Sequence, residues 1–226
     1  MSQNEITINK DQVYKIPSYF LNQAKKFKTT MLLYECAVKE ITTKLEILDR
    51  ELAHLNPRNP IAMIKSRVKQ PQSIVDKLVR ENHPITVDSL NENMHDIAGV
   101  RVICSYIDDI YTIAGMIAEQ DDIIVIEVKD YIENPKENGY RSLHMIIEIP
   151  VFLSDGKHYT KVEIQIRTIA MDFWASLEHE IRYKKNIKNI EDVSESLLDC
   201  AETIAKTDQK MLDIRMIIDE SQSHHE

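Results

Sequence analysis

Hydrophobic residues follow a helical period near both ends of the chain. Between Phe20 and Leu55 the apolar positions are spaced alternately four and three residues apart, which predicts one long amphipathic helix. Two prolines within residues 56–60 should end this helix, because proline cannot continue the helical hydrogen-bond ladder. A second run with the same spacing covers residues 197–218 and is the expected partner surface of the first.

Between these helices, residues 61–186 show strand-like and helical patterns in turn, which predicts an α+β fold class. The expected organisation is a polar lead-in (residues 1–15) and long helix within residues 1–60, a middle domain at 61–186, and a C-terminal helix and tail at 187–226. Ser73 is the expected N-cap of the first middle helix. Strands are predicted at residues 63–69, 100–106, 123–130, 143–149 and 159–167, and helices at residues 73–82, 107–120 and 169–183.

Composition narrows the class of protein. With 226 residues and 43% hydrophobic content, the chain can bury one sizeable core. A net charge of −9 argues against a general binder of long nucleic acids, although a small anion could occupy a locally basic cleft. The three cysteines form no motif, and no signal peptide or membrane span is recognisable. We therefore expect a protein of the reducing cytoplasm with no membrane partner.

The sharpest chemical pattern lies in the last predicted strand, at residues 161–168. Its alternation places three apolar residues on one face and Glu163, Gln165 and Arg167 on the other. A carboxylate, an amide and a guanidinium in one row can hold a metal, a base edge and a phosphate. An ordinary amphipathic edge strand is an equally good interpretation of this stretch alone.

Basic residues are concentrated at residues 61–80, where five basic residues and one acidic residue give a local net charge of +4. Because the chain has four glycines and no glycine-rich phosphate loop, Lys, Arg, a metal ion or a helix N-terminus would have to hold any phosphate. Alternation places Arg67 and Lys69 on one side of a strand, with Lys77 one turn beyond Ser73. A solvated basic face is the simpler interpretation of the segment by itself.

Asp96 lies at the entry of an apolar strand, where a short carboxylate can reach a metal in a cleft, and Gly99 would permit a bend. The adjacent His95 suggests the His-Asp pair of metal phosphohydrolases. Those sites are all-helical and need further ligands, whereas a strand follows here, so we reject that interpretation.

Two aromatic segments complete the candidate chemistry. Gly139 suits a turn with positive φ, which would present Tyr140 and Arg141 at a loop tip, where their planes can stack on a nucleobase. A hairpin loop with an exposed Tyr explains this segment equally well. Phe173 and Trp174 follow helical spacing and are predicted to be core residues rather than ligand contacts.

In this order, the segments resemble the synthetase domain of the RelA/SpoT alarmone enzymes, and in particular the stand-alone small alarmone synthetases. The resemblance covers residues 61–183. It rests on Arg67-Val68-Lys69, on residues 95–101 (His-Asp-Ile-Ala-Gly-Val-Arg), on residues 138–144 (Asn-Gly-Tyr-Arg-Ser-Leu-His), and on residues 162–168 (Val-Glu-Ile-Gln-Ile-Arg-Thr) followed by Phe173-Trp174-Ala175.

The resemblance implies a nucleotidyltransferase-like mixed sheet with flanking helices, and transfer of the β,γ-pyrophosphate of ATP to the 3′-hydroxyl of GDP or GTP. It implies Mg²⁺ as cofactor, held by the catalytic carboxylates Asp96 and Glu163, with Glu163 also the candidate base. The residues implied for ATP binding are Arg67, Lys69, Ser73, Lys77 and Arg101. Those implied for the acceptor nucleotide, GDP or GTP, are Lys136, Tyr140, Arg141, His144, Gln165 and Arg167.

The sequence departs from the family pattern at two positions. Asp172 stands where many members carry Asn, which puts its contribution on the acceptor side in doubt, and Ser66 stands where Gly often precedes the Arg-Val-Lys segment. The length leaves no room for the hydrolase region of long relatives, so synthesis without hydrolysis is expected. The resemblance also implies a homo-oligomer, specifically a homotetramer, with RNA only as a possible regulator.

Two alternative functions stay open at this point. A toxin-like relative would use the same transfer on the 3′ end of tRNA, but the net charge of −9 argues against an RNA substrate. A catalytically silent nucleotide- or RNA-binding module would have no need of both Asp96 and Glu163.

Overall fold

The computed structural model describes residues 18–183 and 190–223, so the predicted lead-in at residues 1–15 lies outside the described residues. The described chain forms six helices and five strands. They are α1 (Ser18–Leu55), β1 (Ile61–Val68), α2 (Pro71–Arg80), α3 (Val87–Asn93), β2 (Ala98–Cys104), α4 (Ile107–Ala118), β3 (Ile124–Asp130), β4 (Leu143–Leu153), β5 (Gly156–Thr168), α5 (Ile169–Tyr183) and α6 (Ile190–Ser223).

All five strands belong to one mixed sheet with the order β1-β2-β5-β4-β3. The β2–β5 pair is parallel, and the other three pairs are antiparallel. The α+β class predicted from the pattern and the mixed sheet implied by the resemblance are thus confirmed. β5 occupies the centre of the sheet, so the interpretation of its two-faced sequence as an edge strand is wrong.

The core lies on the face of the sheet that carries the apolar side chains of β5. Val162, Ile164 and Ile166 are fully buried there, in one cluster with residues of α1 and α4 such as Ile41 and Ile113. Because β side chains alternate, the opposite face of β5 carries Glu163, Gln165 and Arg167. The polar side chains of the sheet are therefore on the face away from the core. No helix among the described residues is long and apolar enough to cross a membrane.

The partner predicted for the long N-terminal helix is wrong. α1 packs along β1, β2, β4 and β5, whereas α6 packs against α5 and α4. The predicted heptad face of α6 is largely exposed at Met211, Ile214 and Ile218, and a different face is buried, containing Ala201 and Asp208. A heptad pattern shows that a helix has an apolar stripe, but it does not identify the surface that covers the stripe.

The start of α2 also differs from the prediction. The helix begins at Pro71 with Gln70 as its N-cap and no side-chain capping bond, while Ser73 is exposed in the first turn. Proline suits the first helical position because its fixed φ is already helical and its missing N–H would have no helical partner there. Helix α3, which was not predicted, is capped by the Thr86 side chain, which accepts from the Ser89 N–H.

Two single-residue predictions are wrong. Phe173 is 59% exposed rather than part of the core, although its neighbour Trp174 is buried as predicted. Gly99 lies in regular pairing with Arg67 and Glu163 rather than at a bend. By contrast, Gly139 has the predicted positive φ, at 85°.

The burial of α1 predicts a large and position-specific loss of stability on truncation. Ile41→Ala should lower the free energy of unfolding by about 2–5 kcal/mol, because Ile41 is fully buried against the sheet. Ile47→Ala on the same helix is the matched control and should change it by no more than about 0.5 kcal/mol, since Ile47 is 59% exposed. Urea unfolding of both variants measures the difference, and equal losses would contradict the packing of α1 on the sheet.

Candidate functional site

A row of polar residues crosses the open face of the sheet. The strand register places Lys65, Arg101, Gln165, His144 and Lys129 opposite one another on β1, β2, β5, β4 and β3. Side chains that are aligned across neighbouring strands share one face and lie close together. The sheet therefore gathers, from distant parts of the sequence, a surface of cations, an amide and an imidazole.

Two carboxylates line a cavity of about 170 Å³ in this surface. Glu163 lies on β5 opposite Gly99 of β2, and Asp96 comes from the segment that leads into β2. The cavity is also lined by Arg67 and Arg101. Positive side chains thus surround both carboxylates, as sites for highly anionic ligands require.

Asp96 is paired with two lysines that the sequence places on different elements. Its carboxylate accepts from Lys77 Nζ at 2.9 Å and from Lys69 Nζ at 2.5 Å. Burial alone would raise the pKa of Asp96, but the two ammonium groups outweigh burial and hold the pKa below its ordinary value. Asp96 is therefore ionised at neutral pH, and both lysines lie within reach of an anion that competes with it.

Glu163 is held by its neighbours on β4 and β5. Its Oε1 lies 3.2 Å from His144 Nδ1, and its Oε2 accepts from Gln165 Nε2 at 2.8 Å. Burial acts to raise the pKa of Glu163, yet the contacts with His144 and Gln165 keep it below the ordinary value. The carboxylate is thus charged and oriented before any ligand arrives.

The residues present fit a divalent cation of the Mg²⁺ type. Asp96, from the segment that leads into β2, and Glu163, on the adjacent strand β5, offer hard oxygen ligands into one cavity. No group of three or more His, Cys, Asp or Glu among the described side chains could hold a metal. Two carboxylates completed by substrate phosphates are the usual arrangement for Mg²⁺.

An aromatic cluster, formed by His144 of β4 and by Tyr131 and Tyr140 of the β3–β4 connection, lies beside Glu163. The Tyr140 hydroxyl lies 2.7 Å from His144 Nε2 and accepts from Arg167 Nη2 at 2.8 Å, so Tyr140 is half-buried and not presented at a loop tip as predicted. The Tyr131 ring packs edge-on against both rings, and Lys136 Nζ lies 4.9 Å from the Tyr140 ring centroid. Aromatic surface beside cations suits a nucleobase that carries phosphates.

Arg167 and Asp172 connect the cavity of the two carboxylates with the aromatic cluster. Arg167 is 2% exposed, donates to Gln165 Oε1 at 2.6 Å, and reaches Asp172 Oδ1 at 3.4 Å. Asp172 also accepts from Arg101 at 2.9 Å and from Lys65 at 3.3 Å. Burial lowers the pKa of the Arg167 guanidinium, but arginine remains charged at neutral pH. Asp172, whose place in the family pattern was in doubt, is therefore the shared anion of three cations.

The structure brings most of the predicted site residues together and places Arg141 apart from them, while the ATP contact of Ser73 stays a prediction. Arg141 donates to the Ile132 carbonyl and lines a separate cavity under α6, and the exposed Ser73 has no capping role. Arg141 lies in the loop before β4, where its bond to the Ile132 carbonyl directs it away from Tyr140 and His144. The residues placed around the carboxylates of Asp96 and Glu163 are Arg67, Lys69, Lys77, Arg101 and Gln165, and those in the adjoining aromatic cluster are Lys136, Tyr140, His144 and Arg167.

Sequence reasoning missed Lys65 and Tyr131. Lys65 was detectable, because it alternates with Arg67 on the same strand and so shares its face. Tyr131 gave no such signal, since its proximity to Tyr140 and His144 depends on the way the loop before β4 folds back.

Comparison with known proteins gives a consistent result. Residues 66–188 match the family described as a region found in RelA / SpoT proteins. GTP pyrophosphokinase YwaC of Bacillus subtilis is 48% identical over 193 residues, which are 85% of this chain and 92% of that protein. The crystal structure of small alarmone synthetase 2 from Bacillus subtilis has 46% identity and a TM-score of 0.76, over 84% of this chain and 98% of that one. Small alarmone synthetase 1 from the same organism, bound to its product pppGpp, has 34% identity and a TM-score of 0.80, over 86% and 98%.

The ion pairs of Asp96 predict a pH-dependent contribution to stability. Since the pKa of Asp96 is lowered on folding, its ionised form stabilises the fold at pH values above the unfolded pKa of about 3.9, and this contribution is lost as pH falls through the lower folded pKa. The stability difference between wild type and Asp96→Asn should therefore shrink on acidification from about pH 6 to about pH 2.5. Urea unfolding across this range measures it, with Asp76→Asn controlling for the loss of one negative charge from the same basic region. A difference that stays constant with pH would contradict the pairing.

Proposed function

This chain belongs to the RelA/SpoT family, and on that premise we propose that it is a stand-alone GTP pyrophosphokinase. It transfers the β,γ-pyrophosphate of ATP to the 3′-hydroxyl of GDP or GTP, yielding ppGpp or pppGpp and AMP. The observation that carries the proposal is the placement of Asp96 and Glu163 in one cavity, between a cluster of cations and an aromatic surface. Two relatives that match most of this chain are named as enzymes of this type.

ATP is bound on the side formed by β1, α2 and β2. Lys69 and Lys77 exchange their present partner, Asp96, for the phosphates of ATP, a replacement that keeps both ammonium groups paired. Arg67 and Arg101 line the same cavity and hold the adenine between their planar guanidinium groups. Asp96 is released for the metal by the same exchange.

The acceptor nucleotide is bound on the side formed by β4 and β5. The Tyr140 ring stacks on guanine and Lys136 neutralises the phosphates, while the buried Arg167 holds the Tyr140 hydroxyl in place. Gln165 and His144 orient Glu163 rather than the nucleotide in the present arrangement, since both contact its carboxylate. The acceptor hydroxyl is thereby directed toward a fixed anion.

The chemical step is an in-line displacement at the β-phosphorus of ATP. The acceptor 3′-oxygen bonds to that phosphorus, the bond to the α,β-bridging oxygen breaks, and AMP departs with that oxygen. Glu163, ionised at neutral pH, accepts the hydroxyl proton. A Mg²⁺ ion held by Asp96 and Glu163 would supply charge neutralisation on the transferred phosphates.

The synthetase is proposed to act without hydrolysis and as a homotetramer in the cytoplasm. The exposed apolar residues of α6, namely Met211, Ile214, Ile217 and Ile218, support self-association, because an apolar stripe of this kind is a typical subunit contact. Three free cysteines are consistent with a reducing compartment.

Glu163→Gln tests the assignment of the base. Purified protein with Mg²⁺, labelled ATP and GDP or GTP should produce AMP and a 3′-pyrophosphorylated guanosine nucleotide, and the variant should be slower by about 10²–10⁴-fold because the amide cannot accept the proton. Glu127→Gln on β3 is the matched control, since Glu127 is exposed and pairs with Lys129.

The acceptor is varied in the same assay to separate the alternatives. Product on tRNA but not on GDP or GTP would favour the toxin-like function, and no product on either would favour a silent nucleotide-binding module. Wild-type rates from Glu163→Gln would eliminate the mechanism, and release of pyrophosphate from added pppGpp would contradict synthesis without hydrolysis.

Ile214→Glu tests the proposed assembly. Wild type should elute as a tetramer by size-exclusion chromatography with light scattering, and the variant should form smaller species, because a charge is costly in a buried apolar contact. Lys210→Glu, at an exposed polar position on the same helix, controls for the change in charge. A monomeric wild type would contradict the proposal.

A further inference from the structure

The C-terminal helix α6 contacts the catalytic sheet through a buried polar pair. Asp208 is 5% exposed, and its Oδ2 accepts from Thr168 Oγ1 at 2.6 Å. Thr168 is fully buried at the end of β5, and its hydroxyl oxygen also accepts from the Met171 N–H at 3.1 Å. One hydroxyl therefore joins three elements at the point where β5 becomes α5.

Of the residues on either side of this junction, Arg167 belongs to the acceptor half of the site and Asp172 joins both halves. Arg167 immediately precedes Thr168 and bonds Tyr140 and Gln165. Asp172 follows in the first turn of α5 and accepts from Arg101 and Arg167. A shift of the junction would move Arg167 directly, because it is bonded through the backbone to Thr168, whereas Asp172 is also held by Arg101 and Lys65 on the other side of the site.

The same helix also packs on the loop that carries Tyr140. A Cβ atom at Gly139 would lie 2.5 Å from the Ala201 Cβ, closer than side chains approach, so α6 lies directly against this loop. Nearby, Trp174 Nε1 donates to the Leu197 carbonyl of α6 at 2.9 Å. α6 thus touches both segments from which the acceptor side is built.

A buried carboxylate at position 208 is not what packing alone would favour. Burial raises the pKa of its carboxyl, so the charge is costly there, and the Thr168 hydroxyl compensates for part of that cost. An apolar residue would pack without this cost, whereas a polar pair in an apolar contact fixes one register of the helix. The pair therefore has the properties of a positioning device.

We propose that Asp208 is a positioning residue for the acceptor half of the site, acting through Thr168 on the adjacent Arg167. The inference rests on the proposed function and adds to it a role for the C-terminal helix. Asp208 touches neither substrate nor the reacting atoms. Its loss is expected to weaken use of GDP or GTP selectively and to leave the ATP side, built from β1, α2 and β2, unchanged.

The test compares Asp208→Ala with Asp208→Asn in steady-state synthesis. The alanine variant should raise the KM for GTP by about tenfold with the KM for ATP unchanged, since about 1.4 kcal/mol for one lost buried hydrogen bond corresponds to that factor. The asparagine variant should restore the wild-type KM, because its amide oxygen can accept from Thr168. Thr168→Val should reproduce the alanine defect, and adding Asp208→Ala to it should cause little further change.

Two controls separate positioning from general loosening of α6. Asp213→Ala removes an exposed carboxylate of the same helix and should have no effect. Arg215→Gln breaks the 2.6 Å tether of α6 to Asp108 on α4, which does not involve Thr168, and should lower stability without a selective rise in the KM for GTP. Because Trp174 is the only tryptophan, its emission reports whether α6 stays docked in each variant.

The outcomes are distinguishable. A selective rise in the KM for GTP with unchanged Trp174 emission supports the inference, as does rescue by asparagine. An unchanged KM for GTP in Asp208→Ala, or an equal rise for ATP and GTP, or the same selective rise in Arg215→Gln, overturns it and leaves the proposed function intact. Absence of product from the wild-type protein overturns the proposed function and this inference with it.

Discussion

The burial of one face of β5 is the constraint on which the rest of the structure depends. Val162, Ile164 and Ile166 are fully buried in one core with α1 and α4, and this burial fixes the position and register of the central strand. A slip of one residue would exchange the two faces and bury Glu163 and Gln165 in the core. The hydrophobic effect thus decides, without any polar interaction, which side chains are available for chemistry.

Charge balance is the second feature that shapes the site. Each carboxylate already has partners: Asp96 with Lys69 and Lys77, and Glu163 with His144 and Gln165. Such pairing keeps a half-buried group ionised, and it keeps cations in place for a phosphate ligand that would displace the carboxylate. The site is thus organised before ligand binding, and nucleotide binding exchanges ion pairs rather than creating isolated charges.

The parts of the fold that could be predicted are those set by local pattern. Residues 20–55 are helical, and the predicted apolar positions from Tyr34 to Leu52 are buried or half-buried, although Ala24 and Leu55 near the ends are exposed. The alternation of β5 separated its two faces correctly, because periodicity is a property of neighbouring residues. Local pattern could not predict which face of α6 is buried, that Phe173 is exposed, or where Arg141 points. Each depends on which distant surface an element packs against, and an apolar stripe carries no information about its partner.

For the site, the sequence by itself determined the chemical inventory: the two carboxylates, the basic segment and the aromatic loop, with an order along the chain specific enough to indicate the family. Only the tertiary structure decided which of these groups pair with one another. It made Asp172 the common partner of Lys65, Arg101 and Arg167, and it placed Asp208 of the C-terminal helix behind Thr168. The physical reason is that these contacts join residues up to 107 positions apart, so they exist only once strand register and helix packing have closed the chain on itself.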